Sequence, residues 1–332
     1  MSKNPWLPVM ISLAFLFCIN ILMISSIAPD TIFKQIIAWV IGLILFFVGR
    51  FISPKQVTSS KWIVFVVCCL FLLTPILLNN ITRGSRRWVD LGFTSIQPSE
   101  FVKPWLLLFL VNTNFPLLHF IPVGIIMLQP DLGSALSVLF LIVPLIIYNK
   151  KIFKISLIAG LIFLTLSPFF YKYGLHDYQK ERIVNFLNPL SDPLGKGYNV
   201  IQSKIAIGSG GLWGKGYKKG TQGQLLFLPE KHTDFMFATT AEELGTIGVL
   251  IVLISYYLLI STLFKKAFLI TNNRALFLFT IGIAVQIWMQ AFVNIGMNLG
   301  ILPVTGIPLP FLSVGGSSIM TLLFSIGVIY SS

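Results

Sequence analysis

Apolar runs long enough to cross a bilayer recur along nearly the whole chain, separated by short polar links. The first, Leu7 to Ile27, exceeds a signal-peptide core and lacks a small-residue cleavage site, so it reads as a retained first helix. Further spans are predicted at about 35–51, 62–78, 132–148, 155–170, 235–260, 276–293 and 317–330. Each approaches the roughly 20 apolar residues a helix needs to cross the hydrocarbon. Between Lys103 and Asp131 the chain carries no formal charge and reads as one long helix or two short ones. Two stretches break the pattern. The segment 171–233 is polar enough to fold outside the bilayer, and Ile201 to Ile207 within it suits a short amphipathic helix on the membrane surface. The stretch Gly306 to Gly316 holds two prolines and three glycines, which forbid a regular helix. Broken backbone at membrane depth is tolerated only where protein or a cavity surrounds it.

Composition supports the membrane reading. Of 332 residues, 55% are hydrophobic and 11% charged, whereas a soluble domain carries about 25% charged residues. A soluble enzyme is excluded. Cys18, Cys68 and Cys69 all lie in apolar runs, two of them adjacent, so they build neither a disulfide framework nor a zinc site. The net charge of +13 comes from bases flanking the spans, which favours membrane lipids or a phosphorylated lipid as partner over nucleic acid.

The charges also set the topology. All eleven acidic residues fall in or beside alternate loops, while the other loops carry only bases: Lys3; Arg50, Lys55 and Lys61; Lys150, Lys151 and Lys154; Lys265, Lys266 and Arg274. By the positive-inside rule these acid-free loops are cytoplasmic. Glu100 and Asp131 then share the outer side, so an even number of crossings separates them. A break at Asn112-Thr113-Asn114 with Pro116 gives two short helices, roughly 96–111 and 115–129. The expectation is an all-α polytopic membrane protein, a single domain over 1–332, with about ten transmembrane helices and both termini cytoplasmic. It has one large extracytoplasmic loop (171–233) and a broken Pro/Gly re-entrant segment (303–316). Arg83, Arg86 and Arg87 occupy a short outer loop that the rule disfavours, so either the topology differs there or they are retained for a task.

Ionisable groups near a membrane are costly and so become candidates for chemistry. In Pro229-Glu-Lys-His-Thr-Asp-Phe235, Asp234 stands where the polar loop becomes a helix. Its plain role is an N-cap; its chemical role is a general base, with Glu230 and His232 beside it. Glu242 and Glu243 follow on the same helix but cannot share one face, so hydrogen bonds to neighbouring helices are expected. Glu100 and Lys103 are one turn apart and suit an ion pair. Asp131 follows Pro130 at a helix start, where capping is the plain role. Arg83, Arg86, Arg87 and Lys204 would form an anion-binding surface, with Trp88 at the interface. P-loop, GxSxG, His/Cys metal spacing and a DDxxD diphosphate motif are all missing from the sequence, which disfavours ATP hydrolysis and zinc chemistry.

Four stretches carry a resemblance: RRWVDLGFTSIQPSEFVK (86–103), QPDLGSAL (129–136), NPLSDPLGKGYNVIQSKIAIGSGGLWGKGYKKGTQGQLLFLPEKHTDFMFATTAEELG (188–245) and NIGMNLGILPVTGIPLPFLSVGGSS (294–318). On these the chain resembles the SEDS family of bacterial membrane proteins (shape, elongation, division and sporulation). Asp90 and the run before GTQ favour its elongation branch (RodA) over the division branch (FtsW). The resemblance implies a peptidoglycan glycosyltransferase that polymerises lipid II into β-1,4 glycan at the outer face of the plasma membrane. It would release undecaprenyl pyrophosphate and work beside a class B penicillin-binding transpeptidase in the elongation complex. Asp234 would be the catalytic carboxylate; Arg87, Trp88, Glu100, Lys103, Asp131, Lys204, Glu230 and His232 would meet substrate. A divalent cation, Mg or Mn, is the one candidate cofactor, with no metal ligands assigned. A lipid II flippase is the rival function, and a scaffold for the transpeptidase a third. The chain departs from the pattern in a very short loop near 112–116, in Val314 where a tyrosine is usual, and in a C-terminus without a basic tail; the first and last suggest a trimmed protein.

Overall fold

The computed structural model describes residues 6–54, 56–78, 87–90, 92, 95–113, 118, 120–169, 197–225 and 227–331. Helices account for most of them: α1 (Leu7–Ile27), α2 (Ile32–Gly49), α3 (Lys61–Leu77), α4 (Pro98–Leu110), α5 (Ile121–Met127) and α6 (Leu132–Tyr148). Then come α7 (Lys150–Phe169), α8 (Tyr198–Ser209), α9 (Thr221–Gln224), α10 (Met236–Phe268), α11 (Arg274–Asn298) and α12 (Gly316–Ile329). A two-residue hairpin, β1 (Val89–Asp90) with β2 (Ser95–Ile96), pairs Val89 with Ile96 ahead of α4; the sequence reading had not expected it. Local chemistry sets several boundaries. Proline occupies the first turn of α1, α4 and α5, where a missing N–H costs nothing. Asp131 and Asn273 cap α6 and α11 by accepting the Ser134 and Leu276 amides.

Outward faces are apolar, as in Phe47, Leu70, Leu161 and Tyr257, which a bilayer covers and water would not. Among the described residues, four helical stretches are by themselves long and apolar enough to span: α1, Pro29–Gly49, α10 and α11. In the core, α2 and α12 approach until a β-carbon at Gly327 would lie 2.1 Å from the Phe46 carbonyl oxygen. Only glycine fits that crossing, the usual device where helices meet without a hydrophobic drive.

The two ends of the bundle differ in charge. At one end Trp6 stacks on Tyr330 and carries Arg50 over its ring, Lys266 lies over Tyr330, and Arg274 over Tyr148. At the other lie Glu100, Asp131, Asp234, Glu242 and Glu243. The charge-segregated loops of the sequence therefore do converge on opposite ends. Asn112, just past α4, donates to the Pro54 carbonyl and accepts from Lys61, so it sits at the basic end. Gln97, at the start of α4, donates to Asp131 at the acidic end. The chain thus reverses between Asn112 and Asp131, as parity required. The returning helix α5 begins at Ile121 rather than 115; the expected break at 112–116 falls partly on residues outside the description, as do Arg83, Arg86 and 171–196.

Other boundaries also differ from expectation. α7 begins at Lys150 and α10 runs past 260 to Phe268, because lysines at a helix end carry no penalty once their ammonium groups reach the interface. The amphipathic segment is longer than 201–207 and does not lie freely on a membrane. α8 buries Ser203 and Ala206 against the other helices, and Ser203 donates to Asn298 of α11.

Candidate active site

Asp234 lies on a tight turn ahead of α10. The amides of Thr233, Asp234 and Phe235 all point at the Glu230 carbonyl, at 3.3, 3.1 and 3.2 Å. The cap position of α10 is not Asp234 but Phe235, one residue on, whose side chain makes no cap hydrogen bond. The Asp234 backbone is held: its carbonyl accepts from Asn294 at 3.2 Å and Asn298 at 3.0 Å, both fully buried on α11. The flanking residues are tied to the broken segment, Val314 N to the His232 carbonyl at 2.9 Å and Ser313 Oγ to the Thr233 carbonyl at 2.5 Å. Thr233 Oγ1 donates to Glu230 Oε2 at 3.0 Å. The carboxylate itself is half-buried, and its Oδ2 lies 3.7 Å from the β-carbon position of Gly306.

The broken segment is irregular from 299 to 315, as the sequence implied, and its polar backbone is met by side chains. Asn294 donates to the Ile307 carbonyl, Tyr256 to that of Pro310 and Asn20 to that of Leu312. Gly306, at φ +71°, lets the chain pass between Asp234 on one side and the start of α6 on the other. There a β-carbon at Gly133 would meet the Thr305 carbonyl oxygen at 2.7 Å. Thr305 Oγ1 is buried without a hydrogen-bond partner among the described residues.

Beyond Gly306 stands a second polar cluster. Asp131 caps α6, as expected, and also accepts from Ser134 Oγ at 2.7 Å, Gln97 Nε2 at 3.3 Å and Arg87 Nη1 at 3.5 Å. Arg87 is partly exposed, and Trp88 beside it is half-buried. Glu100 and Lys103 do pair, Nζ to Oε1 at 2.5 Å, but at 4% and 2% exposure they form a closed pair inside the protein rather than an open surface. Glu100 Oε2 has no partner among the described residues. Lys204 is exposed on α8, its side chain lying over Gly300 just past α11.

Glu242 and Glu243 are fully buried and reach a loop rather than neighbouring helices alone. Glu242 accepts from Lys215 Nζ at 2.7 Å, Thr221 Oγ1 at 3.0 Å and the amides of Gln222 and Gly223. Glu243 accepts from Ser26 Oγ of α1, Gln224 Nε2 and the Lys218 amide. α10 breaks at Gly245, so the Glu242 and Glu243 carbonyls turn out to take the Lys215 and Gly216 amides. The two acids therefore clamp residues 215–224 onto α10, and adjacent positions suffice because the loop wraps both faces. Lys231, buried, donates to the Gly223 carbonyl at 2.7 Å; burial pushes its ammonium below the ordinary lysine value, and Glu243 pulls it partly back.

Among the described residues no three His, Cys, Asp or Glu side chains gather as a metal cage. Sequence reasoning passed over Asn294, Asn298 and Ser313, which position Asp234. Their signal was two asparagines four apart in an apolar helix, a costly spacing unless both are bonded.

These features define a polytopic helical membrane protein whose site is a held carboxylate at the acidic end of the bundle, across a broken segment from an Arg–Asp pair. The family described as cell cycle protein, FtsW/RodA/SpoVE, matches residues 6–332, and the chain belongs to it. It is 38% identical over 306 residues to the peptidoglycan glycosyltransferase MrdB of Escherichia coli K12, covering 87% of this chain and 82% of that protein. Its fold is similar to a chain from a structure described as coordinating polymerization and crosslinking by a peptidoglycan synthase complex. The TM-score is 0.83 at 32% identity, covering 99% of this chain and 97% of that one. It is also similar to the rod shape determining protein RodA of Thermus thermophilus, with TM-score 0.70 and 28% identity over 99% and 96% of the two chains.

Proposed function

We propose that this protein, a peptidoglycan glycosyltransferase, joins lipid II units into β-1,4 glycan at the outer face of the bacterial plasma membrane during elongation. The observation that supports it is the Asp234 carboxylate, half-buried at the acidic end and fixed through its backbone by α11 and the broken segment. In the proposed reaction Asp234 takes the proton from the 4-hydroxyl of the acceptor's GlcNAc as that oxygen attacks the anomeric carbon of the donor. The bond to undecaprenyl pyrophosphate breaks with inversion, so an α-linked donor gives a β-linked product. Arg87, partly exposed, and Lys204, exposed, hold the departing pyrophosphate; Glu230, His232 and Trp88 border the acceptor. The activated leaving group supplies the driving force, so no nucleotide enters. The partner is a class B penicillin-binding transpeptidase of the elongation complex.

Purified protein incubated with labelled lipid II, with and without the transpeptidase, should give a ladder of glycan chains on a gel. Lipid II recovered intact in both would sink the assignment. The flippase alternative needs charged contacts reachable from both faces, whereas the described acids gather at one end.

The same reading orients the chain with its basic end and both termini in the cytoplasm. With the three native cysteines removed, Lys219→Cys should react with an impermeant thiol reagent on intact cells and Ser59→Cys should not. Labelling at position 59 alone would invert the molecule.

A further inference from the structure

Asn298 ends α11 and is fully buried. Both faces of its carboxamide are used. Nδ2 donates to the Asp234 carbonyl at 3.0 Å, and Oδ1 accepts the Ala238 amide at 3.2 Å. The Ala238 amide belongs to the first turn of α10, where backbone donors have no partner within their own helix. Phe235 in the cap position supplies none. Asn298 therefore does from another helix what a capping serine would do locally. A third contact reaches α8: Ser203 Oγ donates to the Asn298 carbonyl at 2.8 Å. The next residue, Lys204, lies so close over Gly300 that a β-carbon there would sit 2.2 Å from its Cε.

We propose that Asn298 is a positioning residue that couples α8 and its exposed lysine to the Asp234 carboxylate. The inference rests on the reading of Asp234 as the general base and adds how that base is aimed and by what it is moved. The direction in which the Asp234 side chain leaves the backbone follows from the peptide planes on either side of its Cα. One plane is fixed by the amide on the Glu230 carbonyl, the other by the two asparagines. Each amide also has a second acceptor, Asn294 Nδ2 the Ile307 carbonyl and Asn298 Nδ2 the Asn294 carbonyl, both at 2.8 Å. The two asparagines thus hold the second plane together, and Asn298 alone of the two extends that hold to α8 through Ser203. Asn298 links α8 to Asp234, since Ser203 bonds its main-chain carbonyl and its buried side chain bonds the Asp234 carbonyl. An anionic headgroup drawing Lys204 toward it would move Ser203, and through Asn298 the angle of the base. Substrate engagement on α8 and readiness of Asp234 become one event.

The test uses the full-length protein, with its transpeptidase, polymerising labelled lipid II. Asn298→Ala should lower kcat per folded molecule by about 10²-fold with KM little changed, the scale expected when a reacting group is misaligned by roughly 1 Å. A merely structural asparagine would lower the unfolding temperature yet leave kcat per folded molecule intact well below that transition. Where the alanine variant does not fold, Asn298→Asp carries the same measurement, because it keeps an acceptor for Ala238. Ser203→Ala, which cuts the link from α8 while leaving the Asn298–Asp234 contact in place, should lower kcat in the same direction as Asn298→Ala, by a smaller factor. Asp234→Asn is run alongside: if it polymerises, the base assignment fails and this inference falls with it. If Asp234→Asn is dead while the Asn298 variants keep the parental kcat, positioning alone is overturned; a Ser203→Ala enzyme with parental kcat removes the coupling to α8.

Discussion

Asp234→Asn is expected to insert, fold and assemble normally, and to polymerise lipid II at a rate about 10²–10⁴-fold below the parent, the range that general-base removal commonly costs. The substitution is close to isosteric and leaves the backbone that the structure uses. The Asp234 carbonyl would still take Asn294 and Asn298, and its amide would still reach Glu230. Had the side chain served as the cap of α10, asparagine would have replaced it with little loss, since both are favoured caps. The structure places Phe235, not Asp234, in the cap position. What the change deletes is the negative charge and the proton affinity of the half-buried side chain beside Gly306. Single-turnover glycan synthesis measured by gel, normalised to folded protein by size-exclusion chromatography, decides it. Polymer formation near the parental rate would show that the acceptor is deprotonated elsewhere.

The helices and the acidic and basic ends were legible because both obey constraints that leave no alternative. A bilayer demands long apolar helices, and charge asymmetry is written residue by residue along the loops. Reversal of the chain between Asn112 and Asp131 followed from parity alone. The hairpin before α4 was not legible: two-residue strands with Asp90 and Ser95 have no periodicity to read. Site residues were found to the extent that they are charged. Asp131 was read as a cap and proved also to hold Arg87, a contact that depends on two distant segments meeting. The acids Glu242 and Glu243 were taken as partners for helices, because nothing local tells that α10 breaks at Gly245 and opens its carbonyls to the 215–224 loop. The neutral groups that aim Asp234 were missed for a different reason. An asparagine in an apolar helix announces that it is bonded, not to what.

Reversing the buried pair, as Glu100→Lys with Lys103→Glu, is expected to restore folding and membrane insertion while leaving the protein inactive. Either single charge removal, Glu100→Gln or Lys103→Met, leaves its partner buried and unpaired, which costs about 3–5 kcal/mol, so the singles should unfold at markedly lower temperature. The reversal re-forms an ion pair one turn apart in the same wall and should recover most of that loss. Function is another matter. An architectural pair would saturate its own atoms, yet Glu100 Oε2 is buried with no partner among the described residues. Lys103 there donates to Glu100 alone, with two further N–H groups to give. That unspent polarity sits on the helix whose first turn, through Gln97, is bonded to Asp131 and thereby to the site. A pair able to open toward phosphate needs its ammonium at position 103; the reversed pair would offer a carboxylate from that place and repel the pyrophosphate. Thermal unfolding in detergent reads the recovery, and polymerisation of lipid II reads the function. A reversed protein that is both stable and active would reduce the pair to architecture, and would leave Arg87 and Lys204 as the cations that meet the leaving group.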